Sequence, residues 1–108
     1  MITILQNKSV VDRIRYELKD EDELLGSVSA KIENGELVIF ELESVEEMFY
    51  DGLVRAILAY ADNRFVERAR FDIDDEKKRR RLRGFGFITE ESDVLENIQN
   101  FFRNDSCK

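Results

Sequence analysis

The sequence has 108 residues, 43% hydrophobic and 38% charged, and this length and composition suit one domain, residues 1–108, built on a single core. Its 17 basic and 24 acidic residues give a net charge of −7, which disfavours nucleic acid as a partner. The lack of histidine and the single cysteine, Cys107, exclude zinc sites, an internal disulfide and Ser-His or Cys-His nucleophilic pairs, so we expect no metal. No apolar run approaches the ~20 residues of a membrane span, and the first residues lack a signal peptide's apolar core. We therefore expect a cytoplasmic protein with no membrane partner.

The first part of the sequence is predicted to form three strands. Apolar and polar residues alternate over residues 12–19, which indicates a half-buried strand, and the acidic residues 20–23 make a turn. A second alternating strand runs from Leu24 to Ile32, and Asn34-Gly35 is a strong hairpin signal. The next strand opens at residues 37–40, which are apolar on both faces, as expected of a central strand covered on both sides.

A helix is predicted over residues 46–63, where apolar residues recur at spacings of three and four. Ser44 followed by Glu47 fits a capping box at its start. Residues 66–73 alternate again and predict a strand. Because this strand follows a helix, we expect it to lie parallel to the strand before that helix.

The last third of the chain is predicted as a short helix, a short strand and a closing segment. Acidic residues at 74–76 and basic residues at 77–83 match the dipole of a short helix, which Gly84 can end. Phe85, Phe87 and Ile88 are expected to form a last strand, and residues 94–102 fit either a helix or a strand with a turn. The predicted order, β-β-β-α-β-α-β with a tail, is an α/β (α+β) domain in which an antiparallel meander is followed by a β-α-β crossover.

Two stretches resemble the GNAT family of N-acetyltransferases. Residues 51–61, DGLVRAILAYA, are similar to the family's long third helix, and residues 81–87, RLRGFGF, are similar to the signature that leads its fourth helix into the next strand. The resemblance covers residues 12 to 90 and implies a truncated acyl-CoA N-acyltransferase fold. It also implies acetyl-CoA as cofactor and a small amine as substrate.

The resemblance further implies which residues would bind acetyl-CoA. In the family, the strand before the long helix and the N–H groups at the helix start hold the pantetheine and the pyrophosphate, as expected for a phosphate at a helix N-terminus. Asp75 takes the place of the family's asparagine. The implied cofactor residues are Phe40, Leu42, Tyr50, Asp51, Gly52, Leu53 and Asp75.

The sequence departs from the family pattern at several positions. The RxxGxG motif is absent, and three carboxylates, Glu46, Glu47 and Asp51, would each repel a pyrophosphate by about 1 kcal/mol or more. The family's tyrosine proton donor aligns with Leu82, and the usual first strand with its two helices is expected to be missing. We therefore expect acetyl-CoA to bind weakly or not at all.

Three residues are candidates for catalysis. Glu41 and Glu43 lie where the family places a general base, and Tyr50 could replace the missing proton donor. Alternatively, the two acids are solvated at a strand edge and Tyr50 packs over the sheet. The function that follows is a GNAT-like domain, an acyl-CoA-dependent N-acetyltransferase with a degenerate cofactor site. The alternative is a non-catalytic interaction or scaffold domain, and we expect a homodimer formed through Phe101 and Phe102 or the open sheet face.

Overall fold

The fold is known from a computed structural model that describes the backbone of residues 1–106 and the side chains of residues 1–103. Cys107 therefore lies outside the described residues. Six strands form one sheet in chain order: β1 (Ile2–Gln6), β2 (Ile14–Asp20), β3 (Glu23–Glu33), β4 (Glu36–Ser44), β5 (Arg68–Phe71) and β6 (Val94–Leu95). The helices are α1 (Tyr50–Asp62), α2 (Glu76–Phe85) and α3 (Ile98–Ser106). The mixed α/β fold is therefore confirmed.

The strand pairing follows the predicted plan. Strands β1 to β4 are antiparallel neighbours, β5 lies parallel to β4, and β6 is antiparallel to β5. The β3–β4 hairpin turns at Asn34 and Gly35, whose φ angles of 53° and 77° explain why this dipeptide suits the turn. Three consecutive residues of β4, Leu37, Val38 and Ile39, are buried, which confirms that β4 is a central strand.

The helix α1 covers one face of the sheet. It packs against β1 to β4, and it also contacts α2 and α3. Its buried stripe follows the helical spacing and consists of Tyr50, Leu53, Val54, Ile57, Leu58 and Ala61. The opposite face carries charged side chains such as Arg15, Glu17 and Glu41, which form ion pairs with one another. The core therefore lies between the sheet and the helices.

A strand precedes the predicted meander, so the expectation that the first strand is missing was wrong. Residues 2–6 form β1, which pairs with β2 over its whole length, from Ile2 opposite Asp20 to Gln6 opposite Tyr16. Residues 7–13, all of them described, form the connection between the two strands and contain no helix. The missing part of the family plan is thus the pair of helices and not the strand.

Two expectations in the last third were also wrong. Gly84 lies inside α2, and the residue that ends this helix is Gly86, which has a left-handed φ of 90°. Phe85 is consequently helical, and residues 85–88 form no strand. The last strand is β6, followed by α3, so the closing segment contains both alternatives considered for it. Phe101 and Phe102 pack against the core, and the ring of Phe101 lies 5.0 Å from that of Phe87.

Candidate functional site

The candidate site is a gap between β4 and β5. The two strands pair only from Glu36 to Ile39, and the last backbone bond joins the Asp72 N–H to the Ile39 carbonyl at 2.8 Å. Strand β4 continues to Ser44, whereas the chain leaving β5 turns into α2. Residues 40–44 of β4 therefore have no partner strand on the β5 side. Across this opening, Lys78 Nζ of α2 lies 2.8 Å from Glu43 Oε1.

Tyr50 lies at the same place, at the start of α1. Its side chain is 6% exposed, and this burial raises the pKa of the phenol, with Lys78 lowering it and Glu43 raising it to smaller extents. The negative charges of Glu47 and Asp75 also raise the pKa of the Tyr50 hydroxyl, by less than burial does. At neutral pH the hydroxyl therefore stays protonated and can donate a proton. The structure thus brings together the predicted residues Glu43, Tyr50 and Asp75.

Glu41 is placed elsewhere, on the charged face of the sheet. Its carboxylate accepts hydrogen bonds from Arg15 Nη1 at 2.9 Å and from Ser29 Oγ at 3.0 Å. Arg13 Nη1 lies 3.8 Å from its second oxygen. Two arginines and a hydroxyl thus hold the Glu41 carboxylate on the charged face, which gives it a structural role. Glu43, with its single ion pair to Lys78, is the better placed of the two candidate bases.

Among the predicted cofactor residues, three turn their side chains away from the gap. Leu42 and Leu53 are fully buried in the core, so only their backbone groups are available to a ligand. The Phe40 ring lies on the charged face, where its centre is 4.9 Å from the guanidinium carbon of Arg13. Gly52 faces β1, since a Cβ there would lie 3.1 Å from Ile4 Cδ1. Asp75 is the N-cap of α2 and accepts from the Lys78 N–H at 3.0 Å.

The start of α1 differs from the predicted capping box. The chain enters the helix through a short 3-10 turn, Glu47–Phe49, and neither this turn nor α1 has a side-chain cap. Ser44 belongs to β4, where its hydroxyl donates to the Leu25 carbonyl at 3.3 Å and accepts from the Glu46 N–H at 3.2 Å. The capping-box prediction was therefore wrong, and the first N–H groups of the helix have no side chain as acceptor.

The carboxylates near this helix start are largely neutralised. Asp51 binds Arg55 at 3.0 Å, and Glu47 Oε2 lies 3.5 Å from Arg81 Nε of α2. The repulsion of a phosphate expected from these acids is reduced, because two of the three are paired with cations. In the sequence, Lys78 and Arg81 belong to the basic residues 77–83 that match the dipole of a short helix. Their spacing of three on a helix could have indicated that they share one face.

Leu82, at the position of the family's tyrosine, is fully buried in the core and has no proton to donate. No group of three His, Cys, Asp or Glu residues within the described part of the chain is arranged to hold a metal ion. None of the helices described is both long and apolar enough to cross a membrane.

Comparisons with known proteins identify the fold. No protein-family model and no curated relative matches the sequence. Among solved structures, a probable acetyltransferase from Staphylococcus epidermidis superposes with a TM-score of 0.60 at 16% identity over 70% of this chain. A probable acetyltransferase of the GNAT family from Chromobacterium violaceum gives 0.55 at 17% identity over 75% of this chain.

The chain has a GNAT-like fold. The match covers 52% of the Staphylococcus protein and 48% of the Chromobacterium protein, so this chain spans about half the length of each. At these identities the likeness shows the fold alone. In this chain, Glu43, Tyr50 and Lys78 lie near one another where β4 and β5 separate.

Proposed function

We propose that this GNAT-like domain binds an acyl-CoA in the gap between β4 and β5 and transfers the acyl group to a small amine. The observation that carries the proposal is the separation of the two parallel strands after Ile39. Parallel neighbours in a sheet ordinarily continue their pairing, and here β4 extends to Ser44 without β5. Ligands of open α/β sheets bind beyond the carboxyl ends of strands at such openings.

The residues present fit an acyl-CoA in two respects. The edge of β4 over residues 40–44 can offer backbone N–H and C=O groups to the amides of a pantetheine arm, in the manner of an added strand. The N–H groups of Phe49 and Tyr50 are already bonded to the carbonyls of Glu46 and Glu47. The donors left for a pyrophosphate are therefore the N–H groups of Glu47 and Met48 in the turn before α1, with Lys78 and Arg81 close by. When bound, acyl-CoA supplies an activated acyl thioester.

The residues of the gap supply the proton transfers. Glu43 accepts a proton from the acceptor amine, and the Tyr50 hydroxyl donates one to the leaving sulfur. A nitrogen–carbon bond forms and a carbon–sulfur bond breaks, so the products are an amide and a thiol. Glu43 then returns its proton to water and Tyr50 regains one. The N–H groups of the turn before α1, or of the β4 edge, stabilise the developing negative charge on the carbonyl oxygen.

The test is acyl transfer by matched variants of the two glutamates on β4. Thiol release from acetyl-CoA in the presence of a panel of primary amines should fall about 100-fold or more in Glu43→Gln. Glu41→Gln is the control, because Glu41 lies on the same strand but is held by Arg15 outside the gap. Tyr50→Phe should lower transfer while leaving acetyl-CoA affinity unchanged. Equal activity of Glu43→Gln and Glu41→Gln would contradict the assigned roles.

Affinity for acetyl-CoA provides the second test. We expect a dissociation constant above the micromolar range, because the glycine-rich turn is absent and the cations near the helix start are already paired with Glu43 and Glu47. Neutralising Glu46, Glu47 and Asp51 together should strengthen binding in a calorimetric titration. Failure of acetyl-CoA to bind at millimolar concentration would overturn the proposal and favour the alternative, a non-catalytic interaction domain.

A further inference from the structure

The strand β1 is an edge of the sheet that carries none of the usual protection. Within residues 1–106, β1 and β6 are the two edges. The β6 edge is only two residues long and lies between the acidic Asp93 and Glu96. By contrast, residues 1–7 contain no charged side chain in a chain that is 38% charged, and the terminal ammonium of Met1 is paired with Asp20 at 3.0 Å. Natural edge strands are kept from pairing by lysine, proline, bulges or short length, and β1 has none of these.

The hydrogen-bonding groups that β1 leaves free follow from its register. The Asn7 N–H donates to the Arg15 carbonyl at 2.8 Å, so residues 3, 5 and 7 direct their backbone groups towards β2. The alternate residues, Ile2, Ile4 and Gln6, therefore direct their N–H and C=O groups outwards. This row of donors and acceptors matches one kind of partner, another extended strand.

The apolar side chains beside this edge are exposed. Ile2 is 50% exposed and Leu5 is 68% exposed, although both belong to a regular strand. Leu5 lies on the charged face of the sheet, opposite Glu17 of β2, and Thr3 on the same face lies opposite Lys19. A strand added at this edge would cover both Ile2 and Leu5.

We propose that β1 pairs antiparallel with β1 of a second copy of this chain, so that two six-stranded sheets join into one. A two-fold axis beside Ile4 places Ile4 opposite Ile4 of the partner subunit and Ile2 opposite Gln6 of the partner subunit. These are the residues with outward backbone groups, so each pair can exchange both hydrogen bonds. Thr3 then packs against Leu5 of the partner subunit.

The second copy is favoured over an unrelated strand by the symmetry of this register. In a two-fold interface each patch meets itself, and a charge on the strand would meet a nearby like charge. Strand β1 avoids that cost because it has no charged side chain, and the register places Ile2 of each copy opposite the uncharged Gln6 of the other. The side chain of Leu5 is exposed to water in a single copy, and Thr3 of the partner subunit covers it in the dimer.

The test uses two double variants that differ only in the sign of the charge at position 3. In Thr3→Lys/Leu5→Lys, two lysines of different subunits face each other twice per dimer, so the mass by light scattering should fall from twice 12.7 kDa to 12.7 kDa. In Thr3→Glu/Leu5→Lys, opposite charges face each other in the proposed register and the dimer should persist. Circular dichroism of both variants establishes that they are folded. The proposed register would be overturned if the Thr3→Lys/Leu5→Lys variant were dimeric, or if the Thr3→Glu/Leu5→Lys variant were monomeric.

Amide hydrogen exchange of the unaltered protein tests the same pairing without a mutation. The Ile4 amide should exchange at least 10-fold more slowly as the protein concentration rises from micromolar to millimolar, because dimerisation buries it. The Leu5 amide, which points to β2, should be protected at both concentrations. An unaltered protein that is monomeric at millimolar concentration, with a rapidly exchanging Ile4 amide, would overturn the proposal.

Discussion

Replacing Phe65 with glycine should stabilise the domain, because this residue adopts a left-handed conformation in the turn that follows α1. Its φ is 63°, and the surrounding bonds, Phe65 N–H to Asp62 carbonyl and Val66 N–H to Ala61 carbonyl, both at 3.0 Å, hold that turn in place. Helices commonly end on a left-handed residue, and glycine is the usual one. The ring is 92% exposed, so it contributes little packing in return.

The magnitude can be worked out from three terms. The left-handed conformation costs a residue with a Cβ about 1–2 kcal/mol, and glycine avoids this cost. Glycine loses additional chain entropy on folding, about 0.5–1 kcal/mol. The small buried part of the ring is worth about 0.2 kcal/mol. The net gain in unfolding free energy is therefore about 0.5 kcal/mol, or about 2–4 °C in Tm.

The assay is urea and thermal unfolding of Phe65→Gly beside the matched control Phe65→Ala. Alanine also removes the ring but keeps the Cβ, so its unfolding free energy should equal that of the unaltered protein or lie slightly below it. The difference between the two variants isolates the backbone conformation. If Phe65→Gly is no more stable than Phe65→Ala, the strain at this position does not limit stability.

Three further substitutions test the packing and electrostatics around the sheet. Gly26→Ala should destabilise the domain by about 1–3 kcal/mol in urea unfolding, since a Cβ there would lie 2.9 Å from the Glu43 carbonyl oxygen; a neutral result would mean that the two strands can move apart. Asp75→Ala should cost about 1 kcal/mol through loss of the α2 cap, and Asp75→Asn should recover most of it. The hydrogen bond from Arg15 lowers the pKa of Glu17 below 4.5, so its carboxylate contributes stability above that pH and loses it as pH falls through the folded pKa. The stability gap between the unaltered protein and Glu17→Gln should shrink on acidification, and a gap that is constant with pH would refute this role.

Local signals in the sequence were enough to predict the middle of the fold. Asn34-Gly35 fixes a hairpin because both residues tolerate positive φ, and the apolar run at 37–39 places β4 at the centre of the sheet. The helical spacing of apolar residues gives α1, and the acidic residues 74–76 followed by basic residues 77–83 give α2, which begins after its N-cap Asp75. Each of these elements is determined by neighbours in the chain.

The elements that the sequence did not predict depend on tertiary contacts. Residues 2–6 show little alternation of apolar and polar side chains, and β1 forms because β2 offers a free edge. Gly84 looks like a helix end, but the helix continues to Phe85 and ends at Gly86, whose N–H bonds the Arg83 carbonyl. The short strand β6 exists because β5 pairs with it.

At the candidate site too, the sequence indicates the elements, whereas the side-chain partners depend on tertiary contacts. The resemblance pointed to the region where β4 leads into α1, and it could not separate Glu41 from Glu43, which share one face of a strand in the sequence pattern. Only the structure shows that Arg15 holds Glu41 and that Lys78 reaches Glu43. The partners of the Arg15–Glu41 pair are 26 positions apart in the sequence, and those of the Lys78–Glu43 pair are 35 positions apart. Contacts over such separations leave no periodic pattern in the sequence.

The proposal that acyl-CoA binds between β4 and β5 is tested most directly by an NMR titration of the isotope-labelled protein with acetyl-CoA. We expect amide shifts concentrated in residues 40–44 of β4 and in the turn that leads into Tyr50, with little change around Arg15 on the charged face. Free coenzyme A should shift the same amides, because the pantetheine and the phosphates are common to both ligands. Absence of shifts at millimolar ligand, or shifts confined to the charged face, would contradict the account.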